Sequence, residues 1–92
     1  MCFGYIGYVE NIFSDEIGPY SSYGIQCLDT EQGENGSILA ELSDVSKDYG
    51  FVKWAAGRFT EFQLNPEHIE DAIENAYIEY YEILWYWLKV LQ

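Results

Sequence analysis

Positive charge is what this chain has least of: Lys and Arg number 4 against 16 Asp and Glu, for a formal net charge of −12 and a pI near 4.1 over 92 residues. Such a field repels nucleic acid and anionic membrane surfaces and attracts basic ones, so direct DNA or RNA binding is not expected. Cysteine is nearly as scarce. Cys2 and Cys27 are too few and too far apart for a disulfide framework or a CxxC metal site, and free thiols of a reducing compartment are the default. The start, "MCFGYIGYVENIF", lacks a basic segment ahead of its apolar residues, which Glu10 and Asn11 interrupt, so no secretory signal is read there and residence in the cytoplasm is expected. Long hydrophobic runs are missing too. The apolar stretch Ile83 to Leu88, flanked by Glu79, Glu82 and Lys89, is far short of the roughly 20 residues needed to span a bilayer. Nor is there a Gly-rich phosphate loop, a GxSxG elbow, an HExxH pair or an EF-hand loop, and no enzyme activity is expected.

What is present suffices for one folded domain. A hydrophobic fraction of 49% and an aromatic fraction of 18% argue against disorder despite the charge. Aromatic and β-branched residues from Cys2 to Phe13 predict a strand with both faces partly covered, in which Gly4 and Gly7 mark bends or close backbone approaches. "SDEIGPYSS" supplies a turn. Further strands are predicted from about Tyr20 to Leu28 and from Ser37 to Leu42, joined by the polar loop "DTEQGENGS" with Asn35-Gly36 at a tight reversal.

Helical spacing begins near Ser46 and runs to Phe62, with Val45, Tyr49, Val52, Ala56 and Phe59 on one side and Lys47, Asp48, Lys53 and Arg58 on the other. Gly50 and Gly57 share a side, and their cost to the helix implies a bulky neighbour close by. Asn65 then reads as an N-cap and Pro66 as a first-turn residue of a second helix reaching residue 91, whose final turns must overhang the shorter one. Ile69, Ile73, Ala76, Tyr80, Ile83, Trp87 and Val90 form its core stripe. Glu67, Glu70, Asp71 and Glu74 lie on the far side. After Asn75 a second apolar stripe appears, Ile78, Tyr81, Trp85 and Leu88, and two coverings are open for it: the N-terminal strand with its loop, or a second molecule.

The fold class that follows is α+β, an antiparallel sheet of about three strands packed on a two-helix hairpin with a long C-terminal helix, residues 1–92 forming a single domain. The expected core is Ile6, Ile25, Leu39, Val52, Phe59, Leu64, Ile69, Ile73, Ala76, Tyr80 and Ile83. His68, the one histidine, reads as a surface or capping residue, and the pair Glu70 and Glu74 is too little for a cation site. No catalytic residue, metal or cofactor is expected.

From Tyr23 to about Asn75, "YGIQCLD", a polar hairpin, "ELSDVS", a helix and "LNPEHIEDAIE" together resemble a small uncharacterised family of clostridial and related Firmicutes proteins. The resemblance implies a hairpin packed on two helices and implies no catalytic residues; the cytoplasm expected is that of a bacterial host. In size and charge the chain is also similar to small phage and mobile-element proteins that block host defence, anti-CRISPR proteins among them. Composition and this likeness lead to one functional expectation: a non-enzymatic acidic inhibitor or adaptor, a nucleic-acid mimic that occupies a basic surface of a nucleic-acid-processing protein. Glu67, Glu70, Asp71 and Glu74, with Asp29, Glu31 and Glu34 of the hairpin loop, would stand in for phosphates, and Ile78, Tyr81, Trp85 and Leu88 would add apolar anchorage. The alternative is a structural or regulatory homodimer, paired through the long helix, whose acidity serves solubility.

Overall fold

Alternation of apolar and polar side chains along a long hairpin sets the architecture. In the computed structural model, which describes residues 2–31 and 37–91, strand β1 (Phe3–Ser14) pairs antiparallel with β2 (Gly18–Asp29). The turn closes at Gly18, whose φ of 77° is a backbone state that glycine adopts without strain. Strand β3 (Ile38–Ser46) adds to the other side of β2, so the sheet order is β1-β2-β3 and both β1 and β3 are edges. Helices α1 (Tyr49–Glu61) and α2 (Ile69–Val90) follow, with one turn of 3-10 helix (Pro66–His68) between them. The predicted α+β class and the two-helix arrangement are as observed. The Asn35-Gly36 reversal and Glu34 lie outside the described residues.

Both helices cover one face of the sheet. Tyr5, Ile25 and Cys27 project from that face onto Phe51, Val52, Ala55, Ala56 and Phe59 of α1, and Ile69 and Ala76 of α2 close the core. Gly7 lets the helix come close, since a Cβ there would sit 2.7 Å from Val52 Cγ1. The Tyr5 ring meets Phe59 edge-on at 5.4 Å, and its hydroxyl donates to the Leu64 carbonyl at 2.6 Å. Burial pushes the Cys27 thiol above its ordinary value, so it packs as an inert apolar group.

Polar caps punctuate the helices. The Asp48 carboxylate accepts from the Phe51 amide, which starts α1 three residues after the predicted Ser46. At its other end the Leu64 amide donates to the Phe59 carbonyl and the Gln63 amide to that of Thr60, a Schellman pair. Gln63 holds φ at 51°, where glycine is usual, because its side-chain amide is fully used: it accepts from the Phe3 amide and donates to the Phe3 and Thr60 carbonyls. Thr60 likewise accepts from the Tyr5 amide at 2.9 Å. The outer edge of β1 is thereby capped at Phe3 and Tyr5 by Thr60 and Gln63 at the end of α1. Asn65 accepts from the Glu67 amide, as its reading as a cap requires, although the first turn after it is 3-10 and α2 proper begins at Ile69.

Several expected core positions are corrected. Ile6 is 53% exposed, because Tyr5 and Gly7 take the helix-facing side and strand alternation turns Ile6 to the uncovered face. The sheet is therefore covered on one face rather than two. Leu39 is exposed as the extra residue where the register slips between the pairs Cys27 with Ala40 and Leu28 with Ile38. Ile83, Trp87 and Val90 continue the core stripe in angle but lie beyond Tyr81, which already reaches the N-cap of α1 at Asp48, and all three are exposed. Ile73, Leu64 and Tyr80 are half-buried against the core, and Tyr49 is exposed beside Tyr23. Strand β3 also runs four residues beyond Leu42, through a bulge at 43–45. Of the two helix glycines, Gly50 has its expected close neighbour, the Tyr80 hydroxyl at 3.3 Å from an added Cβ, whereas Gly57 faces open space.

Candidate functional site

A groove of about 560 Å³ runs between β3 and α2. Leu42 and Val45 of the strand and Ile73, Tyr77 and Ile78 of the helix give it apolar walls, and the exposed carboxyl residues Asp44 and Glu74 line it from opposite sides. The groove opens where the flank of α2 passes β3. An apolar cleft with a few charged groups has the composition of a binding site.

Glu67 of the 3-10 turn and Glu70, Asp71 and Glu74 in the first half of α2 are all exposed, as the helical spacing predicts. At 100° per residue, Glu70 and Glu74 fall on the same flank as Tyr77, the flank that lines the groove. The acids expected from the hairpin loop differ. Asp29 is only 5% exposed and its Oδ1 accepts from the Glu31 amide, so it is spent on the loop and offers nothing to a partner. Glu31 is exposed.

The apolar second stripe is divided by the fold. Ile78 lines the groove and Trp85 and Leu88 are each 64% exposed, but Tyr81 turns inward. Its ring stacks on Phe51 at 5.9 Å and its hydroxyl donates to Asp48 Oδ2 at 3.1 Å; burial first, then this bond, push the hydroxyl above its ordinary value. Beyond Tyr81 every residue from Glu82 to Leu91 is exposed, Trp85, Tyr86 and Trp87 included. Of the two coverings open at the sequence level, the N-terminal strand is excluded. β1 lies under α1, and among the described residues none covers this end of α2. Among the described residues no helix is long and apolar enough to cross a membrane.

The opposite face of the sheet carries a polar network that periodicity does not reveal. Between the pairs Tyr23 with Ser46 and Ile25 with Leu42, β3 has two residues more than β2. Asp44, at the centre of this bulge, has φ of 51°. Glu10 reaches across from β1 to secure it, accepting from the Asp44 amide at 2.7 Å and from the Ser43 hydroxyl at 2.8 Å. Tyr8 donates to Glu41, and Tyr20 donates to Asp44 Oδ2 at 2.8 Å. Hydrogen bonding attributed to Ser22 and then to Tyr20 holds the Asp44 carboxyl below the usual carboxylate range. The geometry favours Tyr20 as the donor, since the Ser22 hydroxyl is directed to the Ser46 carbonyl at 3.2 Å.

A pH dependence follows. The fold favours ionised Asp44, so its contribution to stability is present above the ordinary carboxyl pKa and is lost as pH falls through the lowered value. Replacing Tyr20 with Phe should raise the Asp44 pKa toward the ordinary value, read from its side-chain carboxyl carbon in an NMR titration. An unchanged midpoint would mean Tyr20 is not the donor that matters.

Asp44, Ser43, Leu42, Val45 and Tyr77 are the site residues that sequence reasoning missed. The first four sit at a bulge, where strand alternation carries no warning of two extra residues, and Tyr77 falls between the two helix stripes. Comparison with known proteins gives no further guide: no family model, curated protein or solved structure matches the chain.

Proposed function

We propose that the protein is a non-enzymatic docking module, an inhibitor or adaptor that binds a basic surface of a partner protein through α2 and the groove beside it. The single observation that carries this reading is the state of α2. The 3-10 turn ahead of it and its own first half present the exposed carboxylates of Glu67, Glu70, Asp71 and Glu74, and its last turns present exposed Trp85, Trp87 and Leu88 that no other described part of the chain covers. Exposed apolar patches of this kind mark interaction sites, and Trp and Tyr are the residue types that dominate binding hot spots. Net charge of −12 selects basic partners and speeds encounter with them. A nucleic-acid-processing enzyme is the partner class that presents such a surface, with the carboxylates in place of phosphates.

The test is displacement of labelled duplex DNA from a panel of basic nucleic-acid-binding enzymes, followed across a salt series. For the enzyme that responds, displacement should weaken steeply with salt, and Trp85→Glu should weaken it at least about tenfold. The same variant should leave the urea midpoint of the free chain nearly unchanged, within roughly 0.5 kcal/mol, because Trp85 supports nothing in the fold. Displacement that ignored salt, or that Trp85→Glu left intact, would count against the reading.

A second reading has one specific observation in its favour. From Ile83 to Leu91 the helix carries no acid, and Lys89 lies over the Trp85 ring at 4.9 Å, so this end is the least negative part of a very acidic chain. Two copies could pair here as a structural or regulatory homodimer. Sedimentation at micromolar concentration separates the two: a dimer that Trp85→Glu dissociates supports the second reading.

A further inference from the structure

The two sheet edges are treated differently. The first residues of the β1 edge are closed by Thr60 of α1 and Gln63 just beyond it, which take up the outward amides and carbonyls of Phe3 and Tyr5. The edge of β3 has no equivalent among the described residues, and no Lys or Pro interrupts Ile38–Ser46. An open edge of this kind is a template for another strand unless something blunts it. Two irregularities interrupt it, the extra residue Leu39 and the bulge at 43–45, and between them Ala40–Leu42 keep regular register up to the groove.

The groove lies immediately beside that edge. A chain paired to β3 would direct alternate side chains over Leu42, Val45, Ile73 and Tyr77, while its neighbours passed Glu74 and Asp44. The charge of these two carboxylates fixes the kind of occupant. A second copy of this chain, itself at −12, would bring like charge to the rim, whereas lysine or arginine would be attracted. Asp44 lines the rim while Tyr20, on the sheet's far face, donates to its Oδ2 and Lys47 lies near enough to attract it, so Glu74 carries more of the groove's negative charge.

We infer that the groove between β3 and α2 receives an extended, lysine- or arginine-containing segment of a partner protein, added to the sheet as a fourth strand on the free edge of β3. Main-chain pairing would supply affinity, and the alternation of apolar and basic side chains would supply register and specificity. The inference rests on the docking reading above and states how the partner is held. It makes α2 one wall of the site rather than the whole of it.

The experiment uses the full chain, labelled with nitrogen-15, and a blocked peptide of about seven residues alternating lysine and valine, long enough to match a typical strand. Two isomers of the peptide are N-methylated on one or the other alternate set of amides, which leaves the charge untouched and removes hydrogen-bond donors from one edge only. The expected result is that amide shifts cluster at Ile38–Val45 and at Ile73–Ile78, that one isomer binds at least about tenfold more weakly, and that the other binds like the parent. The double variant Asp44→Asn with Glu74→Gln should lose affinity and flatten its salt dependence while retaining the parent spectrum elsewhere.

Equal binding by both isomers, with shifts confined to Glu67, Glu70 and Asp71, would overturn the strand-addition proposal and leave the acidic docking reading standing. Shifts at the groove on simple concentration of the chain, abolished by dilution, would make the occupant a second copy and the proposal wrong. Groove binding of the peptide by a chain that displaces DNA from no basic enzyme would sustain the strand proposal and refute the proposed function alone.

Discussion

Replacing Phe51 with Ala should remove about 3 to 5 kcal/mol of stability, among the largest losses from a single truncation of this chain. A domain of this length holds roughly 5 to 14 kcal/mol in total, so the variant would sit close to the unfolding threshold. Phe51 is fully buried and is the largest side chain that is. Its ring lies 5.2 Å from Tyr77, 5.4 Å from Tyr80 and 5.9 Å from Tyr81, and 6.5 Å from Trp54 on its own helix. Aromatic pairs of this geometry contribute beyond the area they bury. Three of the four partners belong to α2, so the ring is the main peg joining the two helices. Urea melts followed by near-ultraviolet circular dichroism would measure the loss. Phe51→Leu, which keeps most of the volume, should cost much less, and a loss below about 1 kcal/mol for the alanine variant would mean the helices are held together by something else.

Phe51 also shows where sequence periodicity reaches its limit. Of the predicted stripe Val45, Tyr49, Val52, Ala56 and Phe59, Val45 belongs to β3 and Tyr49 is exposed, while Val52, Ala56 and Phe59 mark one side of α1 and are buried. That stripe faces the sheet. A helix wedged between a sheet and a second helix needs another buried side, and Phe51 supplies it. Nothing in a single apolar stripe distinguishes a helix with one neighbour from a helix with two. The long helix raises the opposite difficulty. Its apolar residues run through its last turns in good register, so periodicity places Ile83, Trp87 and Val90 in a core, but the core stops level with the N-cap of α1, which Tyr81 reaches. Periodicity gives the direction in which a side chain points and not whether anything lies there.

The candidate site was legible in part for the same reason. Glu67, Glu70, Asp71 and Glu74 are exposed because a charged flank needs no partner to be solvated, and the sequence pattern suffices to place them. Asp29 failed as a partner residue because its backbone context, a strand end turning into a loop, uses the carboxylate locally. The groove depends on the bulge of β3, which in turn depends on Glu10 reaching across β2 from a position 34 residues away. Long-range side-chain contacts of that kind leave no periodic trace.

Gly24 to Ala should be the most damaging of the small substitutions, costing about 1 to 3 kcal/mol through overpacking. Gly24 sits in the central strand, opposite Tyr8 of β1 and beside the bulge of β3. An added Cβ would stand 2.5 Å from Tyr8 Cζ, 2.6 Å from its hydroxyl oxygen and 2.7 Å from the Leu42 carbonyl oxygen. The tyrosine ring could swing away, at the cost of its bond to Glu41. The carbonyl is backbone and cannot move without disturbing the pairing of β2 with β3. A double-mutant cycle separates the two contacts. Tyr8→Ala in the Gly24→Ala background should recover only part of the loss, because it clears the ring and leaves the carbonyl in place. Full recovery would show that the ring alone requires the glycine. Incomplete recovery, accompanied by amide shifts at Leu42 and Asp44, would show that Gly24 is what allows β3 to bulge and so to present its edge beside α2.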